Sequence, residues 1–153
     1  MKKILVSACL FGGEPVRYDG QDREEKSPMF QRWKEEGRLI PVCPEILGGL
    51  KVPRPPAQIR DGRVVTETGE DLTENYRKGA ESVLKTALEN NVAFAVLKQK
   101  SPSCGSRHIY DGTFTGTLKE GRGIAAEVLE NAGIKVFGED ELPAAGECLA
   151  EIE

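Results

Sequence analysis

Four short, largely apolar runs constrain this chain more than any other feature: "KILVSA" (3–8), "LIPVC" (39–43), "NVAFAVL" (91–97) and "GIKVF" (133–137). A strand with one wet face alternates apolar and polar residues, whereas a run without alternation is buried on both faces. Helical segments separate the runs. The pattern therefore predicts one domain over 1–153 with a three-layer α/β fold and a mainly parallel, Rossmann-like central sheet.

The helices carry their own boundary signals. In "SPMFQRWKEEG", Ser27 is placed as N-cap, Pro28 at the first helical position and Gly37 as the stop. In "EDLTENYRKGAESVLKTALENN", Asp71 and Glu74 have capping-box spacing, and Tyr76, Ala80, Val83, Leu84, Ala87 and Leu88 fall on one face. "GRGIAAEVLENAG" predicts a helix closed by Gly133, and 142–152 a last helix with Leu142, Ala145, Leu149 and Ile152 on one side. Two segments do not fit this scheme. Residues 48–71 read as an irregular Pro/Gly-rich loop insertion with a short hairpin around 64–67, and 106–121 as irregular with a turn at 110–113. Long insertions of this kind are usually functional.

A net charge of −4 and a pI near 5.3 argue against a protein that grips nucleic acid by its phosphates. No window holds the roughly 20 apolar residues of a membrane helix. "MKKILVSACL" runs straight into "FGGEPVRYDG", so it reads as a first strand rather than a secretory leader. The expected setting is cytoplasmic, which disfavours disulfides among the four cysteines.

Three of those cysteines share a position. Cys9 follows the first strand, Cys43 ends the second, and Cys104 lies in the loop after the third. In a parallel sheet the carboxyl ends of the strands share one edge, so the fold is expected to bring the three together there. Each sits in Gly- or Pro-shaped sequence: "CLFGG", "CPEILGG" and "SPSCG". Cys148 falls within the last helix and stays outside the set. One cysteine at a strand end is ordinarily a small core residue; three at one edge point to a shared metal site. Soft thiolates suit zinc or an iron–sulfur cluster, and three ligands leave one position open for chemistry. Spacing alone leaves zinc and iron–sulfur both standing, since no ferredoxin pattern is present.

The motifs "CLFGGEPVRYDG", "PVCPEILGGL" with "PRPPA", "LKQKSPSCG", "YDGTFTG" and "GRGIAAEVL" together resemble the bacterial thiouracil desulfurase family, over nearly the whole length. The resemblance implies a [4Fe-4S] cluster on Cys9, Cys43 and Cys104 whose open iron binds the substrate sulfur. It also implies non-redox desulfuration of a small thiolated base, such as 2-thiouracil, to uracil and hydrosulfide. Glu45 and Ser101 are then the catalytic helpers. Glu45 suits a general base, and Ser101 a hydrogen-bond donor to the base. Ser103, Arg17, Tyr18 and Arg54 are expected to bind substrate, with Arg54 as a lid residue.

Each residue has a plainer role beside this one. Glu45 also suits the first turn of a short helix, Ser101 a turn before Pro102, and the arginines ordinary surface charge. His108 reads as a loop residue, and "KEGRGIAAE" as a weak echo of a phosphate loop. Alternative functions are a sulfur carrier using the same cluster, or a non-catalytic iron–sulfur or zinc module.

Overall fold

The computed structural model describes residues 1–21 and 23–153. Strand β1 (Ile4–Ser7) runs directly into the single-turn helix α1 (Ala8–Phe11), and α2 (Pro28–Glu35) leads to β2 (Leu39–Val42). A second single turn, α3 (Pro44–Leu47), precedes a hairpin of β3 (Ala57–Arg60) and β4 (Arg63–Thr66). The long α4 (Thr73–Glu89) feeds β5 (Phe94–Leu97), and then comes a second hairpin, β6 (His108–Tyr110) with β7 (Leu118–Glu120). Helix α5 (Ile124–Asn131), β8 (Val136–Gly138) and α6 (Leu142–Ile152) complete the chain.

All pairings in the central sheet are parallel, in the order β2-β1-β5-β8. The expected α/β architecture is therefore present. Alternate residues of each strand serve opposite faces. Ile4, Val6, Phe94 and Val96 pack under α2 and α6 with Trp33, Phe137 and Leu149. Leu5, Ala95 and Leu97 pack under α4 and α5 with Val83, Ala87 and Leu129. Phe94 meets Trp33 and Phe137 edge-on, at centroid separations of 6.3 and 5.3 Å, the geometry that ring quadrupoles favour. From β1 the chain turns one way to β2 and later crosses to β5 on the other side. The β1–β5 boundary is thus the point where the winding reverses, and clefts form at the carboxyl ends there.

Several boundaries differ from expectation for local reasons. Ser27 caps α2 by accepting from the Phe30 N–H, as its sequence suggests. Asp71 and Glu74 do not form a capping box: Asp71 accepts from the Thr73 N–H and pairs with Arg63, while Glu74 pairs with Arg77. Leu88 is 61% exposed and Ile152 44%, so the apolar faces of α4 and α6 end at Ala87 and Leu149, each short of its last expected member. The segment 48–71 is only partly irregular, because Ala57–Arg60 pairs with Arg63–Thr66 around a turn of Asp61 and Gly62, both at positive φ. The hairpin carries its own small core of Ala57, Ile59 and Val64 against Tyr76 and Ile109.

Candidate functional site

Each cysteine is delivered by a strand end and fixed by the helix or loop into which that strand runs. Cys9 is in α1, immediately after β1, and its carbonyl accepts from the Arg23 N–H. Cys43 is the N-cap of α3, which places Glu45 in that helix's first turn. Cys104 sits in the loop after β5, shaped by Ser101, whose Oγ accepts from the N–H groups of both Ser103 and Cys104 at 3.1 Å. The same loop docks on α5. Gly123 gives that helix a side-chain-free start, and the Ile124, Ala125 and Ala126 N–H groups donate to the Pro102 and Ser103 carbonyls. A Cβ on Gly123 would lie 2.6 Å from the Ser103 carbonyl carbon. The Gly-rich entry to α5 therefore seats the cysteine loop, and its first amides are engaged there rather than on a phosphate.

Cys9, Cys43 and Cys104 line one cavity of about 410 Å³ at the β2-β1-β5 edge, together with Glu45, Ser101 and Ser103. Cys148 lies elsewhere, packed beside the core under α2 and α6. Burial pushes the thiols up. Cys9 rises to about 11, opposed by Lys98 and Arg17 and reinforced by Cys43. Cys43 is raised by burial and then by Glu45. Cys104 is raised by burial and by both other thiols, against hydrogen bonds from Ser7 and Ser103. Two buried thiols and one half-buried one, whose ionisation burial opposes, form a donor set that a cationic group would deprotonate and hold. Among the described residues no three His, Cys, Asp or Glu side chains are grouped to hold one metal ion.

Glu45 is gripped from two sides. The Arg54 Nε donates to its Oε1 at 3.0 Å, and the Ser103 hydroxyl donates to its Oε2 at 3.0 Å. Ser103 is 2.9 Å from the Ser101 hydroxyl. Donor counting orients this chain. Both acceptor positions of Ser101 are taken by backbone amides, so its proton points to Ser103, whose proton points to Glu45. Arg54 also donates to the Val16 and Lys51 carbonyls and is nearly buried. It clamps Glu45 here, where the Pro-rich segment suggests a lid residue over the substrate. Arg17 and Tyr18 also line the cavity, with Arg17 paired to Asp19 at 3.7 Å.

Some residues at the site gave little sign in the sequence. Tyr76 falls on the core face of α4 as expected, yet it also lines the cavity, and burial and a hydrogen bond to Glu45 both disfavour its ionisation. Ser7 ties the strands by accepting from the Lys98 N–H at 2.9 Å. Beneath Glu45, α3 lies on α4 through two glycines. A Cβ on Gly79 would lie 1.8 Å from the Pro44 carbonyl oxygen, and one on Gly48 2.0 Å from the Asn75 carbonyl oxygen. The "GG" of "CPEILGG" is in part this seam.

Known proteins are similar to this chain over nearly its whole length. A family model described as 2-thiouracil desulfurase matches residues 4–141. The uncharacterized protein YbbK of Bacillus subtilis (strain 168) is 42% identical over 149 residues, which span 91% of this chain and 97% of that protein. The solved structure of the [4Fe-4S]-dependent thiouracil desulfidase TudS superposes with a TM-score of 0.95 at 46% identity, over 98% of this chain and 99% of that one.

Proposed function

The chain belongs to the 2-thiouracil desulfurase family, and from that premise we propose that it removes sulfur from a small thiolated nucleobase such as 2-thiouracil. The cavity that joins three thiols to an oriented Glu45–Ser103–Ser101 chain is the observation that carries this reading. Cys9, Cys43 and Cys104 would hold a [4Fe-4S] cluster. Three soft thiols lining one cavity suit a thiophilic metal group, and the family resemblance makes that group a cluster. When bound, the cluster supplies a thiophilic Lewis-acid position for the substrate's sulfur.

The chain's own residues account for the rest. Replacing C=S by C=O with water breaks one carbon–sulfur bond, forms one carbon–oxygen bond and releases hydrosulfide and a proton, with no net electron transfer. A water donating to the remaining acceptor position of Ser103 Oγ passes its proton through that hydroxyl to Glu45 Oε2, while Ser101 donates to Ser103 and holds it in line. Arg54 holds Oε1, so the free rotation of the carboxylate is lost before substrate arrives.

Among the described residues no helix is long and apolar enough to cross a membrane. The test is anaerobic purification with iron and acid-labile sulfide assayed, then addition of 2-thiouracil with uracil and hydrosulfide measured. The expected result is both products in equal amounts. Stoichiometric zinc without sulfide, or an iron–sulfur protein that releases neither product, would overturn the reading.

A further inference from the structure

The cavity is roofed by side chains that the desulfuration chemistry does not use. All three tyrosines of the chain, Tyr18, Tyr76 and Tyr110, line it, together with Phe114. Phe114 stands in the turn between β6 and β7 at φ +59°, a left-handed backbone that a bulky residue adopts only under constraint. The constraint comes from β3, on the other hairpin. Gln58 Oε1 accepts from the N–H groups of both Gly112 and Phe114, at 3.0 and 3.2 Å. Arg60 Nε donates to the Gly112 carbonyl at 2.9 Å, and its guanidinium lies over the Phe114 ring, 5.8 Å from the centroid. Gly112, at φ +91°, admits this approach, since a Cβ there would lie 2.7 Å from the Ile59 carbonyl oxygen. Strain held in place by a second element and aimed at a cavity is characteristic of a binding device.

From this we infer that Phe114 is the stacking surface for the substrate ring, making the site selective for planar, unsaturated heterocycles, with Gln58 and Arg60 as its positioning residues. Every nucleobase has a π face, and stacking on an aromatic side chain recognises it without reading its edge. The sulfur and the ring are thus recognised by different parts of the molecule. The thiols and Glu45 lie at the sheet edge, while Phe114 belongs to the clasped hairpins above. This inference rests on the desulfuration reading.

Binding of uracil and of 5,6-dihydrouracil to the anaerobic, cluster-loaded protein separates the two ideas. Dihydrouracil keeps the two carbonyls and two N–H groups but loses the flat π system. Wild type should prefer uracil. Phe114→Ala should weaken uracil binding by roughly 5- to 150-fold and flatten the preference. In turnover, the loss should fall on KM for 2-thiouracil rather than on kcat, and Phe114→Trp should restore affinity. Phe114→Leu keeps an apolar side chain without the aromatic ring and should behave like Phe114→Ala. Gln58→Leu should weaken uracil binding in the same direction. Unchanged uracil affinity in both Phe114→Ala and Phe114→Leu, or a retained preference, overturns the stacking role while leaving desulfuration intact. A wild type that neither binds uracil nor releases hydrosulfide overturns both.

Discussion

Replacing Gly79 by alanine sets two well-defined effects against each other. Gly79 lies inside α4, where exchanging glycine for alanine ordinarily stabilises a helix by about 1 kcal/mol. Here the new methyl would sit 1.8 Å from the Pro44 carbonyl oxygen and 2.7 Å from its carbon. Both are backbone atoms, so no rotamer change relieves the overlap, and α3 must shift by well over an ångström to restore contact distance. Overpacking costs about 1–3 kcal/mol, and a backbone clash this deep belongs at or beyond the top of that range. The net effect is about 2 kcal/mol of destabilisation, or a Tm lower by roughly 4–8 °C for a domain of this size. The same shift moves Glu45, two positions along from Cys43. A displacement near 1 Å at such a site costs on the order of 100-fold in turnover. Thermal unfolding by circular dichroism, with hydrosulfide release assayed on the folded protein, measures both. A Tm at or above wild type would show that the α3–α4 seam yields more readily than these distances imply and would refute the reasoning.

Other expectations rest on the same geometry. Cys104→Ser should lose bound iron and labile sulfide while Cys148→Ser keeps both; equal behaviour of the two would break the three-plus-one division. Glu45→Gln should retain the cluster and lose about 100- to 10,000-fold in kcat, the range for a positioned acid–base group, as read by hydrosulfide release. Ser103→Ala removes the hydroxyl that links water to Glu45, so it should lower kcat with little change in Tm; full activity would show that water reaches Glu45 without it. Phe94→Ala, in the edge-on contact with Trp33 and Phe137, should cost about 3–5 kcal/mol and lower Tm by roughly 6–20 °C, which thermal unfolding reads directly.

The sheet and its helices were legible because each announces itself over neighbouring residues. "FAVL" is apolar at every position, and Ser27-Pro28 starts a helix by local chemistry alone. The cysteine cavity was legible for the related reason that parallel strands share an edge. The β3–β4 hairpin was half missed, although "RDGR" contains the Asp-Gly pair that favours a tight turn. "AQIR" before it offers just two apolar residues to mark a strand. The surroundings of Glu45 were the least legible. Arg54, Ser103 and Tyr76 reach it from an irregular segment, a loop and a helix face, and no spacing rule links such positions. Phe114 shows the same limit, since its backbone conformation is imposed by Gln58 from another hairpin.

The order β2-β1-β5-β8 has a consequence for biosynthesis. The strand that carries Cys104 to the edge lies beside β1 on the side opposite β2, and it is synthesised after both. During vectorial synthesis, Cys9 and Cys43 therefore emerge as an incomplete pair, and Cys104 joins them only once β5 has docked. On the proposed ligand set, stable metallation would act as an inspection of the finished sheet: a chain with β5 unpaired or misplaced would present two thiols where three are needed.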